Sequence, residues 1–200
     1  MIPAIFIEQD ETLLRPVPSR VDPLHMTFAA GASAAVRRLD RIGYPLIVVS
    51  SQPGAALGWC DESDLQRSAS RLHDMFAEAG AQLAGYYYCP HHPDGIVPRL
   101  AMRCACRKPA PGLLLNAAAR HDIDLARSWF IGGMLDDIEA GSRAGCQTVL
   151  INNGNETAWQ RGPYRQPHHV VEDFEQAAWL IFELSLDQCP LDKRGNATSR

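Results

Sequence analysis

No apolar run in this sequence approaches the roughly 20 residues that a membrane-spanning helix needs. A basic stripe is missing as well. Nineteen Lys and Arg stand against 23 Asp and Glu, for a net charge of −4, which offers no footing to nucleic acid or to an anionic membrane surface. The opening Met1-Ile2-Pro3-Ala4-Ile5-Phe6-Ile7-Glu8 lacks a basic region, a long apolar core and a small-residue cleavage site, so no secretory signal is expected. The expected location is the cytoplasm, where thiols stay reduced and clustered cysteines favour a metal over disulfides. Cysteines are few. Of six, Cys60, Cys146 and Cys189 are scattered and read as buried or incidental thiols, leaving Cys89, Cys104 and Cys106 as a cluster. Neither an internal repeat nor a second domain is visible. The 46% hydrophobic content over 200 residues suits one domain, assigned to residues 1–186, with a polar, aperiodic tail at 187–200 expected to be disordered.

What is present alternates between two periods. Ala4 to Ile7 is a short apolar run ending in the polar Glu8-Gln9-Asp10-Glu11-Thr12, the pattern of a buried parallel strand delivering polar groups at its carboxyl end. After a loop with Pro16, Pro18 and Pro23, a helix is predicted from about Ala32 to Ile42, stopped by Gly43. Pro45 to Val49 is the second strand, opening into Ser50-Ser51-Gln52-Pro53-Gly54. Leu65, Ala69, Leu72, Phe76 and Ala79 mark a helix with Asp61 placed to cap its start and Gly80 its end. Further strands are expected at 83–88, 128–131, 147–152 and 168–171. Helices are expected at 111–120 and 136–144, and a last one carries Phe174, Ala177, Ala178 and Ile181. Such alternation implies an α/β fold, a single doubly wound parallel sheet, with ligands at the carboxyl ends of its strands. Glu8, Asp10, Ser50 and 132–137 all lie at such ends.

Between the third strand and the next helix lies Cys89-Pro90-His91-His92-Pro93-Asp94-Gly95, followed by Cys104-Ala105-Cys106-Arg107-Lys108-Pro109. Cys89, His91, Cys104 and Cys106 form a Cys₃His set suited to a closed tetrahedral zinc site. Each pair is spaced more tightly than in a zinc finger. The residues alone leave open His92 as the ligand in place of His91, and a surface loop of unpaired thiols. The expected role is structural, because a loop of this length without helix or strand needs a staple.

These stretches together resemble the haloacid-dehalogenase (HAD) superfamily of phosphatases. Glu8-Gln9-Asp10-Glu11-Thr12 is similar to its Asp-x-Asp-Gly-Thr signature, Val48 to Gly54 to its second motif, and Gly132 to Asp137 to its Gly-Asp-x-x-x-Asp motif. The Cys/His loop with Arg107-Lys108-Pro109 closely resembles that of the D-glycero-D-manno-heptose 1,7-bisphosphate phosphatases and the related histidinol-phosphate phosphatases. The resemblance runs from about residue 4 to 185. It implies a HAD-like Rossmannoid with a zinc-stapled loop and no large cap domain, acting on a small-molecule sugar phosphate. It also implies an aspartyl-phosphate mechanism. By position, Glu8 stands at the nucleophile, Asp10 at the acid/base, and Ser50, Gln52, Arg107 and Lys108 at the phosphate or substrate. Glu8, Asp10 and Gly133 stand at the magnesium, with Asp137 nearby.

Three positions depart from that pattern. Glu8 keeps a carboxylate but adds a methylene, and a shift of about 1 Å at a reacting atom can cost on the order of a hundredfold. Glu11 replaces a glycine in a tight turn and adds negative charge near an anionic substrate. Gly133 removes a carboxylate ligand from a hard cation, with Asp136 or Asp137 as the nearest substitutes. The expectation is therefore a phosphatase scaffold with weak or absent turnover. The alternatives are a non-catalytic phosphate-binding or interaction protein and a histidinol-phosphate phosphatase.

Overall fold

A computed structural model describes residues 1–15, 23–154 and 156–187. Pro16 and Pro18 of the predicted loop, Cys189 and the tail beyond 187 lie outside the described residues. Six parallel strands form one sheet in the order β3-β2-β1-β4-β5-β6: β1 Ile5–Glu8, β2 Leu46–Ser51, β3 Leu83–Cys89, β4 Trp129–Gly132, β5 Gln147–Ile151 and β6 His169–Val171. The helices are α1 Ala32–Asp40, α2 Glu62–Glu78, α3 Gly112–His121, α4 Leu135–Ala144 and α5 Phe174–Asp187. None of them is long and apolar enough to cross a membrane.

Both faces of the sheet are covered, so β1 is buried at all four residues and carries no alternation. Ile5, Ile7, Leu46, Val48 and Ile131 pack against Val36 and Leu39 of α1, Leu72 and Phe76 of α2, and Ala178 and Ile181 of α5. Phe6, Ile47, Val49 and Phe130 pack on the opposite face against Leu113, Leu114 and Ala117 of α3 and Ala140 of α4. The chain leaves β1 for β2 on one side and returns to β4 on the other. Their carboxyl ends therefore diverge around β1, where open α/β sheets bind ligands.

Helix α2 starts as its sequence predicts. Asp61 Oδ1 accepts from Asp64 N at 2.9 Å, while Asp64 Oδ2 accepts from Asp61 N at 2.8 Å, a reciprocal capping box. Gly80, just past the end, takes φ +74°. Helix α1 is shorter than predicted: it ends at Asp40, and Ile42 lies in a turn closed by Gly43 at φ +82°.

Candidate active site and Cys/His loop

Glu8 is the last residue of β1 and points to the α3/α4 face, the side on which Phe6 packs. Lys108 reaches the same space from the loop before α3. Its ammonium pairs with Glu8 Oε2 and, at 2.6 Å, with Asp137 Oδ1 near the start of α4. All three side chains are buried: Lys108 is 9% exposed, Glu8 5% and Asp137 2%. The second oxygen of Asp137 accepts from Met134 N at 2.9 Å, closing the first turn of α4. Asp136 is turned away and pairs with Arg165 at 2.5 Å.

The Asp10 carboxylate has its own donors, while the Asp10 N–H donates to Glu8 Oε1 at 3.3 Å. Its Oδ2 accepts from Gln52 Nε2 at 3.0 Å and from the Ser50 hydroxyl at 3.3 Å, and its Oδ1 accepts from Gln9 Nε2 at 3.0 Å. Gln52 also donates to Ser50 Oγ at 2.7 Å. Asp10 keeps contact with solvent, yet the protein packed around it displaces water and lifts its carboxyl above the ordinary 3.8. The hydrogen bonds from Gln9, Ser50 and Gln52 partly oppose that rise, and the Glu11 charge adds to it. A carboxyl held by donors and raised in pKa suits general acid/base work. Glu11 has φ +59°, a left-handed backbone that a glycine adopts without strain. Arg107 is half-buried and donates to His91 O at 3.4 Å.

The Cys/His side chains converge. The ligand atoms of Cys89, His91, Cys104 and Cys106 all lie within 4.8 Å of one another. Cys106 Sγ is the hub, 3.1 Å from Cys89 Sγ, 3.3 Å from Cys104 Sγ and 3.3 Å from His91 Nδ1. Cys89 Sγ lies 3.5 Å from Cys104 Sγ and 3.6 Å from His91 Nδ1. A tetrahedral zinc would set sulfur–sulfur edges at about 3.8 Å and sulfur–nitrogen edges at about 3.6 Å. His92 is turned outward, its Nδ1 accepting from Asp94 N at 3.1 Å. Of the two histidines, His91 is therefore the one aimed at the thiols.

Reading the sequence missed Thr12 and Gln9. Thr12 is buried and its hydroxyl has no hydrogen-bond partner among the described residues, and Gln9 contributes a donor to Asp10. Thr12 stood within the first motif as a signal. Nothing marked Gln9. Tyr86, on the same sheet face as Ser50, also buries a hydroxyl without a hydrogen-bond partner among the described residues.

The pattern of the family described as HAD-hydrolase-like matches residues 105–177. The D-glycero-beta-D-manno-heptose-1,7-bisphosphate 7-phosphatase of Photorhabdus laumondii is 36% identical over 189 residues, 93% of each chain. The chain belongs to the haloacid-dehalogenase superfamily, in its heptose-bisphosphate phosphatase branch. The Escherichia coli K12 enzyme of the same name is 36% identical over 154 residues, covering 76% of this chain and 81% of its own. The D,D-heptose 1,7-bisphosphate phosphatase of B. bronchiseptica, solved with magnesium and phosphate, superposes with a TM-score of 0.79 at 27% identity, covering 92% of this chain and 99% of that one. A HAD fold with one parallel sheet is thus the architecture the sequence predicted.

Membership of the branch implies magnesium at the strand-end centre, and the residues present do not fit it. Magnesium takes oxygen ligands in near-octahedral geometry. Gly133 offers no side chain. Each Asp137 oxygen already holds a donor, Lys108 Nζ on one and Met134 N on the other, and Asp136 faces Arg165. Glu8 has one oxygen on Lys108, and its Oε1 accepts from Asp10 N at 3.3 Å. Among the described residues, the Cys/His loop is the cluster of three or more ligating side chains that closes on a common point.

Proposed function

We propose that this protein recognises a sugar phosphate through the strand-end site of a heptose-bisphosphate phosphatase scaffold, and that its magnesium-dependent hydrolysis is weak or lost. The observation that carries this reading is the state of the carboxylates: Gly133 supplies none, and each oxygen of Asp137 already holds a donor. Phosphoryl transfer rests on positioning and charge neutralisation, so a poorly held cation undermines the step itself. Ser50, Gln52 and Lys108 remain as donors for a phosphate, with Arg107 at the rim. Such a ligand must compete for Lys108 with Glu8 and Asp137 and for Ser50 and Gln52 with Asp10. Residual turnover would use Glu8 as nucleophile and Asp10 as acid/base. The substrate class is a heptose-like sugar phosphate, the class named for the relatives.

Zinc fits the loop in ligand type and number, and would be held by Cys89, His91, Cys104 and Cys106, whose ligand atoms all lie within 4.8 Å of one another. Bound there, it would fix the loop that carries Arg107 and Lys108. A reducing cytoplasm suits three thiolate ligands.

The test is a phosphatase assay with Mg²⁺ over a panel of sugar phosphates, beside a Glu8→Asp, Glu11→Gly, Gly133→Asp variant, with phosphate-ester binding followed calorimetrically. Wild-type turnover comparable to the variant's would refute the loss of hydrolysis. Absence of binding would refute the recognition.

A further inference from the structure

Besides the two cores that cover the sheet, a third, smaller cluster lies beside the end of β3. Ala55, Ala56, Leu65 and Leu100 are buried together, with Cys60, Tyr88 and Val97 packed against them. This cluster does not close. A cavity of about 210 Å³ remains between Ala55, Leu65, Tyr88, Val97 and Leu100. Its walls come from four segments: the loop after β2, the first turn of α2, the end of β3 and the Cys/His loop. Protein cores hold few voids larger than a water molecule, so a space of this size stands out. An apolar cavity of about 150 Å³ already takes up benzene, which leaves room here for a side chain of leucine or phenylalanine size. Cys60 is part of the wall. Burial and the Asp64 and Asp61 carboxylates raise its pKa above the ordinary 9.0 and keep the thiol neutral.

The mouth of the cavity carries charge of both signs. Arg99 and Glu62 line it, and both are exposed. Neither side chain makes a hydrogen bond or an ion pair among the described residues. Asp61 also lies there, but its Oδ1 already accepts from Ser63 Oγ at 2.7 Å and from Asp64 N at 2.9 Å. A cation and an anion that border one cavity without pairing leave a place between them for a group bearing both charges. A lone carboxylate would meet Arg99 but also the Glu62 and Asp61 charges, and a lone ammonium would meet Arg99. A zwitterion satisfies both sides.

We propose that this cavity binds a free α-amino acid with an apolar side chain, its carboxylate on Arg99, its ammonium on Glu62 and its side chain among Leu65, Tyr88 and Leu100. The site is separate from the strand-end centre, since Asp10, Ser50, Gln52 and Lys108 do not line it, and it does not depend on phosphate recognition. The same walls nevertheless connect the two. Ile96 N and Val97 N both donate to Ala56 O, at 2.8 and 3.0 Å, and Gln52 N donates to Cys89 O at 2.8 Å. A bound amino acid braces the loop that follows Gln52 against the Cys/His loop that leads to Arg107 and Lys108.

The experiment titrates the purified full chain calorimetrically with L-leucine and L-phenylalanine. Two analogues of leucine run beside them: 4-methylpentanoate, which lacks the ammonium, and 3-methylbutylamine, which lacks the carboxylate. The expected result is saturable binding of leucine or phenylalanine at one per chain, with leucine or phenylalanine about tenfold or more tighter than either analogue. Arg99→Ala and Glu62→Gln change exposed side chains and should each weaken the binding by about the same factor. Cys60→Phe fills the cavity from its wall and should abolish binding in a chain whose circular dichroism matches wild type. Should Cys60→Phe fail to fold, the two surface variants decide. Absence of saturable binding of both amino acids at millimolar concentration would overturn the proposal. So would an analogue that binds as tightly as the amino acids, or binding that either Arg99→Ala or Glu62→Gln leaves unmoved.

Discussion

Replacing Lys108 with methionine tests whether the ion-paired centre holds the fold together. Methionine keeps the length and apolar stem of the lysine but leaves Glu8 and Asp137 facing each other without a cation. Both carboxylates are almost fully buried, at 5% and 2% exposure. Removing one partner of a buried pair strands an uncompensated charge and costs about 3–5 kcal/mol. For a chain of this size each kcal/mol lowers Tm by about 2–4 °C, so the variant should melt about 6–20 °C below wild type. Urea unfolding followed by circular dichroism reads the same loss as a fall in midpoint at unchanged slope. Two controls bound the interpretation. A Glu8→Gln, Lys108→Met, Asp137→Asn variant removes all three charges and should recover most of the loss. Arg71→Met breaks the 2.8 Å pair with Glu78, which is 64% exposed, and should cost less than about 1 kcal/mol. A Lys108→Met variant within about 1 kcal/mol of wild type would mean that the three groups are solvated and would refute the buried ion pairing.

Cys106→Ser removes the hub of the Cys/His cluster. Purified wild type should carry about one zinc per chain and the variant much less than that; elemental analysis showing no zinc in wild type would remove the site. Chelation should lower the wild-type Tm and leave that of Cys106→Ser nearly unchanged. Asp10 has its pKa raised by burial, so the fold favours its neutral form: the stability this gives is full below the ordinary 3.8 and is lost as pH rises through the raised value. Wild type should therefore gain on Asp10→Asn as pH falls from 7 toward 4 in urea unfolding, and a flat or opposite difference would contradict the assignment. Asp61→Ala removes the N-cap of α2 and should cost about 1 kcal/mol by thermal melting, with no loss of zinc.

The elements were legible where a period or a cap declared them. Leu65, Leu72 and Phe76 fall on the buried stripe of α2, and Asp61 caps it as its position suggests. β1 is four residues long, but a four-residue apolar run ending in carboxylates is enough when both faces are covered. Helix α1 was over-extended because Ile42 continues an apolar pattern that local turn geometry at Gly43 interrupts. In the site, the sequence gives candidate residues but not their partners. The Lys108 ammonium meets carboxylates 29 and 100 positions away, and only the strand order brings them together. His91 and His92 are equivalent in a spacing argument, and the Asp94 N–H separates them by claiming His92. Asp136 faces Arg165, in a stretch without periodicity that no pattern could dock. The Thr12 hydroxyl is visible as an unmet donor only once the space beside Gly133 is known.

The Cys/His loop and the carboxylate centre are one mechanical unit, with a consequence for what an intact loop signifies. Lys108 lies two residues beyond Cys106. The turn between them and α3 is tight: Ala110 N donates to Arg107 O at 2.9 Å and Gly112 N to Ala105 O at 2.9 Å. A Cβ on Gly112 would lie 2.2 Å from that same carbonyl, so only glycine closes the turn. Fixing Cys106 therefore fixes where the Lys108 ammonium arrives. If the loop loosens, Lys108 withdraws, and Glu8 and Asp137 become unpaired buried charges whether or not the centre turns over substrate. The need for the loop thus follows from stability alone, and four well-placed ligands say nothing about turnover. Measurements on the Cys106→Ser variant should accordingly show a stability loss that Glu8→Gln, Asp137→Asn partly relieves, since neutral side chains tolerate the absence of Lys108. If those two substitutions lower stability in the Cys106→Ser background as much as in wild type, the loop and the centre are independent and the coupling through Lys108 is refuted.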